Sequence, residues 1–207
     1  MIPVGVTCGG TPIILGPGAV TWNPSDKNAA IVLSNGNLTA DSGGAIGAGL
    51  AVRATTAHSS GKFYFEATYN VVDSDWNSPA VGVMDANAAL AGTTTPFDGT
   101  GEVSWGLINH SGTYWKSAHD GATGALTGTP TNGDVIGVAL DLDAGKIWFS
   151  LNGTWFEGDP AAGTGPSYTS VAGTLYPACF VRNTAQVTAN FGGSSYAHAA
   201  PSGFANW

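Results

Sequence analysis

Charged side chains are scarce in this chain, and basic ones are the scarcest. Only 10% of the 207 residues are charged, and fourteen acidic residues against six basic ones give a formal net charge of −8. This charge repels a phosphate backbone, so we expect no nucleic-acid partner, and an anionic membrane surface is disfavoured for the same reason. The 31 glycines and many small polar side chains keep the surface polar instead.

Cysteine and long apolar runs are also lacking. Cys8 and Cys179 are too few and too far apart for a zinc site or a disulfide scaffold, so we expect two free thiols. No apolar run approaches the roughly 20 residues of a membrane-spanning helix, and we expect no membrane insertion. Residues 1–6 carry no basic n-region, so we expect no Sec signal peptide and, for any export, another route.

Helical patterns are nearly absent, because Gly or Pro interrupts the apolar stripes of helical spacing. Short runs that alternate apolar and polar residues take their place, with turn residues between them. Many short strands of this kind predict an all-β chain folded as a two-sheet antiparallel β-sandwich. The predicted strands are 31–34, 50–54, 63–71, 80–84, 103–108, 114–117, 135–142, 147–151, 175–181 and 186–191.

The strongest local pattern is the stretch 133–153. Apolar residues alternate on both sides of an Asp-Ala-Gly-Lys turn, and a second turn follows at Asn152 and Gly153, after which a third strand can begin. A period of two around such a turn predicts a β-hairpin. The same alternation in residues 63–69 predicts a core face of odd-numbered positions and leaves Glu66 solvated or paired at a sheet edge.

Six motifs follow one another in a definite order, preceded by the lead-in Trp22-Asn23-Pro24. The motifs are Gly61-Lys62-Phe63-Tyr64-Phe65-Glu66, Val81-Gly82-Val83, Ser104-Trp105-Gly106, the hairpin 133–153, Leu175-Tyr176-Pro177-Ala178 and Asn190-Phe191-Gly192. This series, which covers roughly residues 20 to 204, resembles the landmarks of the SPRY (B30.2-like) domain family. It departs from them at Leu107, where that family often has an aromatic residue.

The resemblance implies a concanavalin-like jelly-roll sandwich that works as a non-enzymatic recognition module. In such domains, loops gathered along one edge of the sandwich bind a protein or peptide partner. We assign residues 21–207 to a single SPRY-like domain. Residues 1–20 precede every motif and are rich in Gly and Pro, so we assign them to an N-terminal arm or tether.

Catalytic and metal sites have no candidate above background. Asp141 and Asp143 resemble the paired carboxylates of a glycosidase, but one ends a strand and the other opens a turn, which favours structural roles. The four histidines lack the spacing of metal ligands, so positions in surface loops are favoured. The chain has no Gly-x-Ser-x-Gly elbow, phosphate loop or dinucleotide fingerprint. We expect no enzymatic activity, no metal and no cofactor.

Two aromatic clusters are candidate contact surfaces. A large ring in an acidic, polar loop suits a recognition surface, although packing within the loop explains it equally well. That first cluster consists of Asp73, Asp75, Trp76 and Asn77. The second follows a turn and consists of His110, Tyr114 and Trp115. Strand alternation sends its two largest rings to opposite faces, so only one can be a contact, and packing is favoured.

The leading hypothesis for function is recognition of a protein or peptide through loops at one edge. The alternative is a carbohydrate-binding, lectin-like module, which would gather Asn, Asp and one aromatic residue around a shallow groove, whereas a protein site would be broader. By analogy of composition, the chain suits a bacteriophage capsid or tail component, with virion proteins or a host surface receptor as partners. The expected location is the virion surface or the extracellular space, with the cytoplasm as the alternative.

Overall fold

The fold is built from β-strands. A computed structural model describes residues 18–44, 49–73, 78–91, 97 and 102–207. These residues form sixteen strands, and no helix among them is long and apolar enough to cross a membrane. The strands are β1 (Trp22–Lys27), β2 (Val32–Ser34), β3 (Thr39–Asp41), β4 (Leu50–Ala54), β5 (Lys62–Val71), β6 (Ala80–Met84), β7 (Ser104–His110), β8 (Thr113–Ala118), β9 (Thr123–Ala125), β10 (Val135–Asp141), β11 (Lys146–Leu151), β12 (Thr154–Trp155), β13 (Tyr168–Thr169), β14 (Tyr176–Val181), β15 (Gln186–Asn190) and β16 (Ala205–Asn206).

The strands form two sheets that pack face to face. Sheet A has the order β1-β4-β14-β6-β7-β8-β9, and sheet B has the order β12-β11-β10-β5-β15-β3-β2, with β13 beside β11 and β16 beside β5. The pairs are antiparallel except for the short parallel pair of β16 with β5. The predicted all-β, two-sheet antiparallel sandwich is therefore confirmed.

The core lies between the sheets and follows the alternation of the sequence. Val81 and Leu107 of sheet A are fully buried in one cluster with Phe65 and Val138 of sheet B. Alternate positions of a strand point to the same face, so a period of two delivers one apolar face from each sheet to this layer. The layer extends along most strands of both sheets.

The predicted hairpin is formed by β10 and β11. Val138 lies opposite Phe149, and Asp141 lies opposite Lys146 at the turn. In the turn Gly145 has φ 64°, a backbone conformation that glycine adopts readily. The hairpin is central to sheet B, because β10 also pairs with β5 along seven residues.

The outer face of sheet A is covered by the segment after β6, and Arg53 holds this segment in place. Its guanidinium binds the carboxylate of Asp26 through Nε at 2.7 Å and Nη2 at 2.8 Å, and Nη1 donates to the carbonyl oxygens of Asp85 and Ala88 at 3.1 and 2.8 Å. These bonds hold the segment after β6 against the sheet. Strands β4 and β6 are consequently buried along their whole length.

The outer face of sheet B is covered by the C-terminal segment, residues 196–204, which packs over Tyr64. Beneath it Glu66 is only 3% exposed, and its carboxylate accepts hydrogen bonds from the backbone N–H groups of Ala197 at 2.7 Å and His198 at 2.8 Å. The expectation of a solvated or edge-paired Glu66 is therefore wrong. Alternation gives the face of a residue, but it does not show which later segment covers that face.

Aromatic rings seal one end of the sandwich. Trp207 is 6% exposed, lies 5.5 Å from the Phe63 ring centroid and donates from Nε1 to the carbonyl oxygen of Thr56 at 3.0 Å. His58 stacks on Phe63 with 3.7 Å between centroids, so this histidine is part of a packed cluster, not a surface loop. We call this region the closed end and define it as residues 56–63, 141–145 and 207.

All ten predicted strands occur, and their bounds differ from the prediction by at most two residues. A strand also begins at Thr154, as expected. The prediction missed five strands, namely β1, β3, β9, β13 and β16, of which all but β1 have two or three residues. Cys179 is a fully buried, unpaired thiol whose pKa is raised by burial, as expected for a core residue. Cys8 and nearly all of the proposed arm lie outside the described residues.

Candidate functional site

The loops at the end opposite to the closed end form one surface. Strand pairing brings Val71 beside Gln186 and Ala80 beside Ile108, so the loops that flank these positions emerge together. The loop before β10 joins them, because the N–H of Gly133 donates to the carbonyl oxygen of Tyr69 at 2.7 Å. We call this surface the loop edge and define it as residues 72–73, 78–79, 109–113, 127–134 and 182–185.

Asn109 joins the two segments that the sequence marks as candidate contact surfaces. Its side chain is fully buried, and Nδ2 donates to the carbonyl oxygens of Asp73 at 2.8 Å and Ser78 at 2.9 Å. Its Oδ1 accepts a hydrogen bond from the N–H of Gly112 at 3.1 Å. The loop after β5 and the turn between β7 and β8 are thus neighbours although they lie far apart in the sequence.

Of the first candidate cluster, Asp73 is described, and it is half-buried at the loop edge. Its Oδ2 accepts from the N–H and the hydroxyl of Thr184, both at 3.3 Å, so it also ties in the loop after β14. The other three candidates of this cluster, Asp75, Trp76 and Asn77, lie outside the described residues.

The second candidate cluster is divided by the sheet. Tyr114 is fully buried, and its hydroxyl donates to Asp134 Oδ2 at 2.8 Å, so its expected place on a contact surface is wrong. Burial is also the main reason that the pKa of Tyr114 is raised. Trp115 lies on the opposite face, half-buried on the outside of sheet A, with its ring 4.9 Å from that of half-buried His110. These two rings remain candidate contacts.

Asp134 is a buried acceptor that the sequence reasoning missed. It accepts hydrogen bonds from Tyr114, from the N–H of Thr131 at 2.8 Å and from Asn152 Nδ2 at 3.0 Å. Burial raises its pKa, but these hydrogen bonds lower the pKa by more, so the carboxyl group titrates below its ordinary value. In the sequence Asp134 ends an Asn-Gly-Asp stretch before a strand. This pattern predicts a turn, but it does not predict a carboxylate that accepts hydrogen bonds from several loops.

A groove of about 340 Å³ lies beside the loop edge, where β8 and β9 of sheet A approach β11 and β12 of sheet B. Its lining combines two aromatic rings with an amide and two hydroxyl side chains and contains no charged residue. The lining residues are Thr127, Leu151, Asn152, Thr154, Trp155 and Phe156. A second cavity, of about 260 Å³, lies near the other end of sheet A between residues 85–87, 103, 173–174 and 176.

The paired carboxylates considered for catalysis have structural partners. Asp141 Oδ2 lies 2.8 Å from Lys62 Nζ, and Asp143 Oδ1 accepts from the N–H of Gly61 at 2.8 Å. Both therefore fix the β10–β11 turn at the closed end, as their positions in the sequence indicate. In the part of the chain that the structure describes, no group of three or more His, Cys, Asp or Glu side chains could hold a metal ion.

Comparisons with known proteins match this architecture. The chain is 31% identical over 147 residues, or 71% of its length, to a probable ATP-dependent RNA helicase, ddx1, from Dictyostelium discoideum, of which it spans only 16%. The TRIM65 PSpry domain superimposes with a TM-score of 0.60 at 17% identity, covering 83% of this chain and 91% of that one. The SPRY domain of human HERC1 gives 0.57 at 20% identity, covering 81% and 96%. Stonustoxin gives 0.61 at 18% identity, covering 83% and 28%.

The structural likenesses establish the fold, and the family follows from the sequence. The SPRY domain model matches residues 62–194, which is more than half of the chain. The landmarks within that span include the hairpin of β10 and β11 and the Leu175-Tyr176-Pro177-Ala178 motif. The chain therefore belongs to the SPRY domain family, whose members are in general non-enzymatic protein-interaction modules.

Proposed function

We propose that this domain binds a protein or peptide partner through the loop edge. The observation that carries the proposal is the convergence on Asn109 of two loops from distant parts of the sequence, with the loop after β14 tied to them through Asp73. Binding residues are disproportionately carried on loops that a rigid scaffold positions. Here the scaffold is the sandwich, and buried polar side chains fix the loops to it.

The breadth of the loop edge favours a protein or peptide over a small ligand. Four separate loops contribute to it, and the half-buried ring pair of His110 and Trp115 lies at one side. Interfaces with proteins are broad, with aromatic anchors and a polar rim, whereas sites for small ligands are concave.

The groove beside the loop edge is the candidate site for the alternative function, carbohydrate binding. It brings Trp155 together with Asn152 and two threonines, which is the mixture of ring and hydrogen-bonding groups that a sugar would use. The amide of Asn152, however, is already engaged, since it donates to Asp134 and accepts from the N–H of Val135 at 2.8 Å. The groove therefore offers a sugar few unengaged polar groups, and we favour the protein or peptide partner.

A matched pair of variants tests the proposal. Peptides selected from a random display library on the wild-type domain should lose binding to Thr131→Arg, because Thr131 is exposed at the loop edge, and should keep binding to Ser60→Arg, because Ser60 is exposed at the closed end. Both changes add the same side chain to an exposed position, and thermal melts establish that each variant is folded. Equal loss in both variants, or no selectable peptide together with binding on a glycan array, would contradict the proposal.

We also propose, from composition alone, the virion setting and the partners that go with it. Low lysine content and Gly-, Thr- and Asn-rich loops motivate it. The surface of a virion or the extracellular space is then the location, with the cytoplasm as the alternative. Capsid or tail genes on either side of this one would support the proposal. Neighbours that encode polysaccharide enzymes would favour the lectin-like alternative, and neighbours of neither kind would contradict the virion setting.

A further inference from the structure

The basic residues of this chain are nearly all engaged within the fold. All six lie in the described part of the chain. Arg53 binds Asp26, Lys62 binds Asp141, Lys116 binds Glu157, and the Nζ atoms of Lys27 and Lys146 each donate at 2.7 Å to carbonyl oxygens, those of Ile31 and Gly163. The remaining one is Arg182, whose guanidinium makes no hydrogen bond and no ion pair with the described residues.

Arg182 is not simply a solvated surface residue. It is half-buried directly after β14, and its Nε is buried without a hydrogen-bond partner in the described part of the chain. A buried donor without a hydrogen-bond partner destabilises a fold, and buried polar groups in folded proteins usually have partners. Other buried side-chain atoms of the described residues also have no partner, among them Ser78 Oγ at the loop edge, but the Nε of Arg182 belongs to a charged group and therefore calls for an explanation.

The next residue presents a second exception of opposite polarity. Asn183 has φ 53°, and its Oδ1 is a buried acceptor to which none of the described residues donates a hydrogen bond. The loop around it is nevertheless fixed, because the Ser42 hydroxyl donates to the Asn183 carbonyl oxygen and the Ala185 N–H donates to the Arg182 carbonyl oxygen at 2.9 Å. A held loop thus places an unpartnered donor and an unpartnered acceptor on adjacent residues.

We propose that Arg182 forms the anchor of the loop edge for a carboxylate side chain of the partner, which binds the accessible Nη end of the guanidinium. The inference rests on the proposed function, since it names the chemistry that the loop edge recognises. A planar guanidinium matches the two oxygens of a carboxylate, and the bonds between charged groups are among the stronger hydrogen bonds of proteins.

The surroundings favour a carboxylate over a phosphate group. Phosphate recognition typically uses a cluster of arginines, whereas the described loop edge contains one, and Asp73 is bonded to Thr184, two residues beyond Arg182. The net charge of −8 adds a general repulsion that grows with the charge of the ligand. One arginine on a chain of net negative charge therefore suits a singly charged Asp or Glu side chain better than a phosphate group.

Two display libraries test the anchor. They consist of short random peptides with one fixed central residue, Asp in one library and Asn in the other. The Asp library should be enriched on the wild-type domain. Arg182→Gln should weaken the selected peptides about tenfold or more. Lys62→Gln removes the same charge at the closed end and should leave binding unchanged.

The outcomes separate the anchor from the function. Enrichment of both libraries with no effect of Arg182→Gln would overturn the anchor and leave the proposed function in place. Equal weakening by Arg182→Gln and Lys62→Gln would show a general charge effect and also overturn the anchor. Failure of both libraries on the wild-type domain would overturn the proposed function and the anchor with it.

Side-chain NMR offers a readout that needs no selected peptide. The chain has two arginines, so the Nε–Hε signal of Arg53, which is paired with Asp26, is an internal control. Titration with N-acetyl-aspartate methylamide should shift the Arg182 signal and leave that of Arg53 in place, and the neutral asparagine analogue should shift neither. Equal shifts from both compounds, or no shift of Arg182 with either, would overturn the anchor.

Discussion

The two ends of the sandwich are held together by different chemistry. At the closed end the rings of Trp207 and Phe63 pack over the core, whereas at the loop edge the buried groups of Asn109 and Asp134 bind loops through hydrogen bonds. Arg182 at the loop edge has no partner among the residues that the structure describes. Burial of apolar surface stabilises a fold in proportion to its area, while an internal hydrogen bond contributes only about 1 kcal/mol net. We therefore expect stability to depend on the closed end and recognition on the loop edge.

The largest effect should follow from opening the closed end. Trp207→Ala should lower the free energy of unfolding by about 3 to 5 kcal/mol, because a buried ring and its contacts with Phe63 and Phe65 are lost. Chemical denaturation measures this change. Peptide binding by the folded fraction should be unaltered, and a loss of binding in that fraction would break the separation of the two ends.

A slightly smaller loss of unfolding free energy is expected from a substitution in the apolar layer between the two sheets. Leu140 is fully buried opposite Ile147 in the hairpin, and Leu140→Ala should cost about 2 to 5 kcal/mol in denaturant unfolding. Leu140→Met conserves volume and should cost less than about 1.5 kcal/mol. A cost below about 1 kcal/mol for the alanine variant would show that the side chain is not packed as described.

A substitution at Trp76, a candidate contact predicted from the sequence, is expected to change binding and not stability. Its place in an acidic loop between Asp75 and Asn77 predicts that Trp76→Ala weakens a selected peptide by about 2 kcal/mol or more while the melting temperature stays constant. Trp155→Ala, in the neighbouring groove, is the matched control. A lower melting temperature with unchanged affinity would identify Trp76 as a packing residue.

Each end also contains one carboxyl group with a lowered pKa, namely Asp134 at the loop edge and Asp141 at the closed end. Burial raises both pKa values, but hydrogen bonds lower them by more, so the net shift is downward. For Asp141 these bonds include that from Lys62. A group whose pKa is lowered by folding stabilises the protein above its unfolded pKa, and that contribution is lost as the pH falls through the folded value.

We therefore expect unfolding free energy to fall on acidification below the ordinary carboxyl value of 3.8. Asp134→Asn and Asp141→Asn should each cost about 1 to 3 kcal/mol at neutral pH and make this acid dependence shallower. Urea unfolding at a series of pH values measures both quantities. An acid dependence as steep as that of the wild type in both variants would refute the assignment.

The smallest effect on stability is expected from the proposed arm. Deletion of residues 2–18 should leave the cooperative melt unchanged, because these residues precede every motif, and the patch Ile13-Ile14-Leu15 between Gly and Pro buries too little to fold alone. Light scattering would show whether a larger assembly is lost. Failure of the shortened chain to fold would mean that the arm belongs to the sandwich.

Sequence reasoning recovered the fold where strands alternate and failed where they do not. The hairpin of β10 and β11 follows a strict period of two, so its register and buried face were predictable. Strand β1 contains Asn, Pro, Ser, Asp and Lys, which are typical of turns, and it forms a strand only because β4 pairs with it. Its pairing is a tertiary contact that a local pattern cannot show.

The candidate site was predictable to the level of segments. The loop after β5 and the turn before β8 were both singled out, and alternation correctly sent Tyr114 and Trp115 to opposite faces. Which ring faces the core was not predictable, because it depends on the pairing of β8 with β7. Asn109, Asp134 and Arg182 were missed, since a buried polar side chain acquires its role from loops far away in the sequence.

The covering of the sandwich by its terminal segments has a practical consequence for anyone who shortens or fuses this chain. A fragment cut to the matched span 62–194 would lack β1 to β4, which flank β14 in one sheet and β15 in the other. It would also lack Trp207 and the backbone donors that satisfy Glu66. Such a fragment would present bare strand edges and an uncompensated buried carboxylate to the solvent, and we expect it to be recovered as insoluble aggregate.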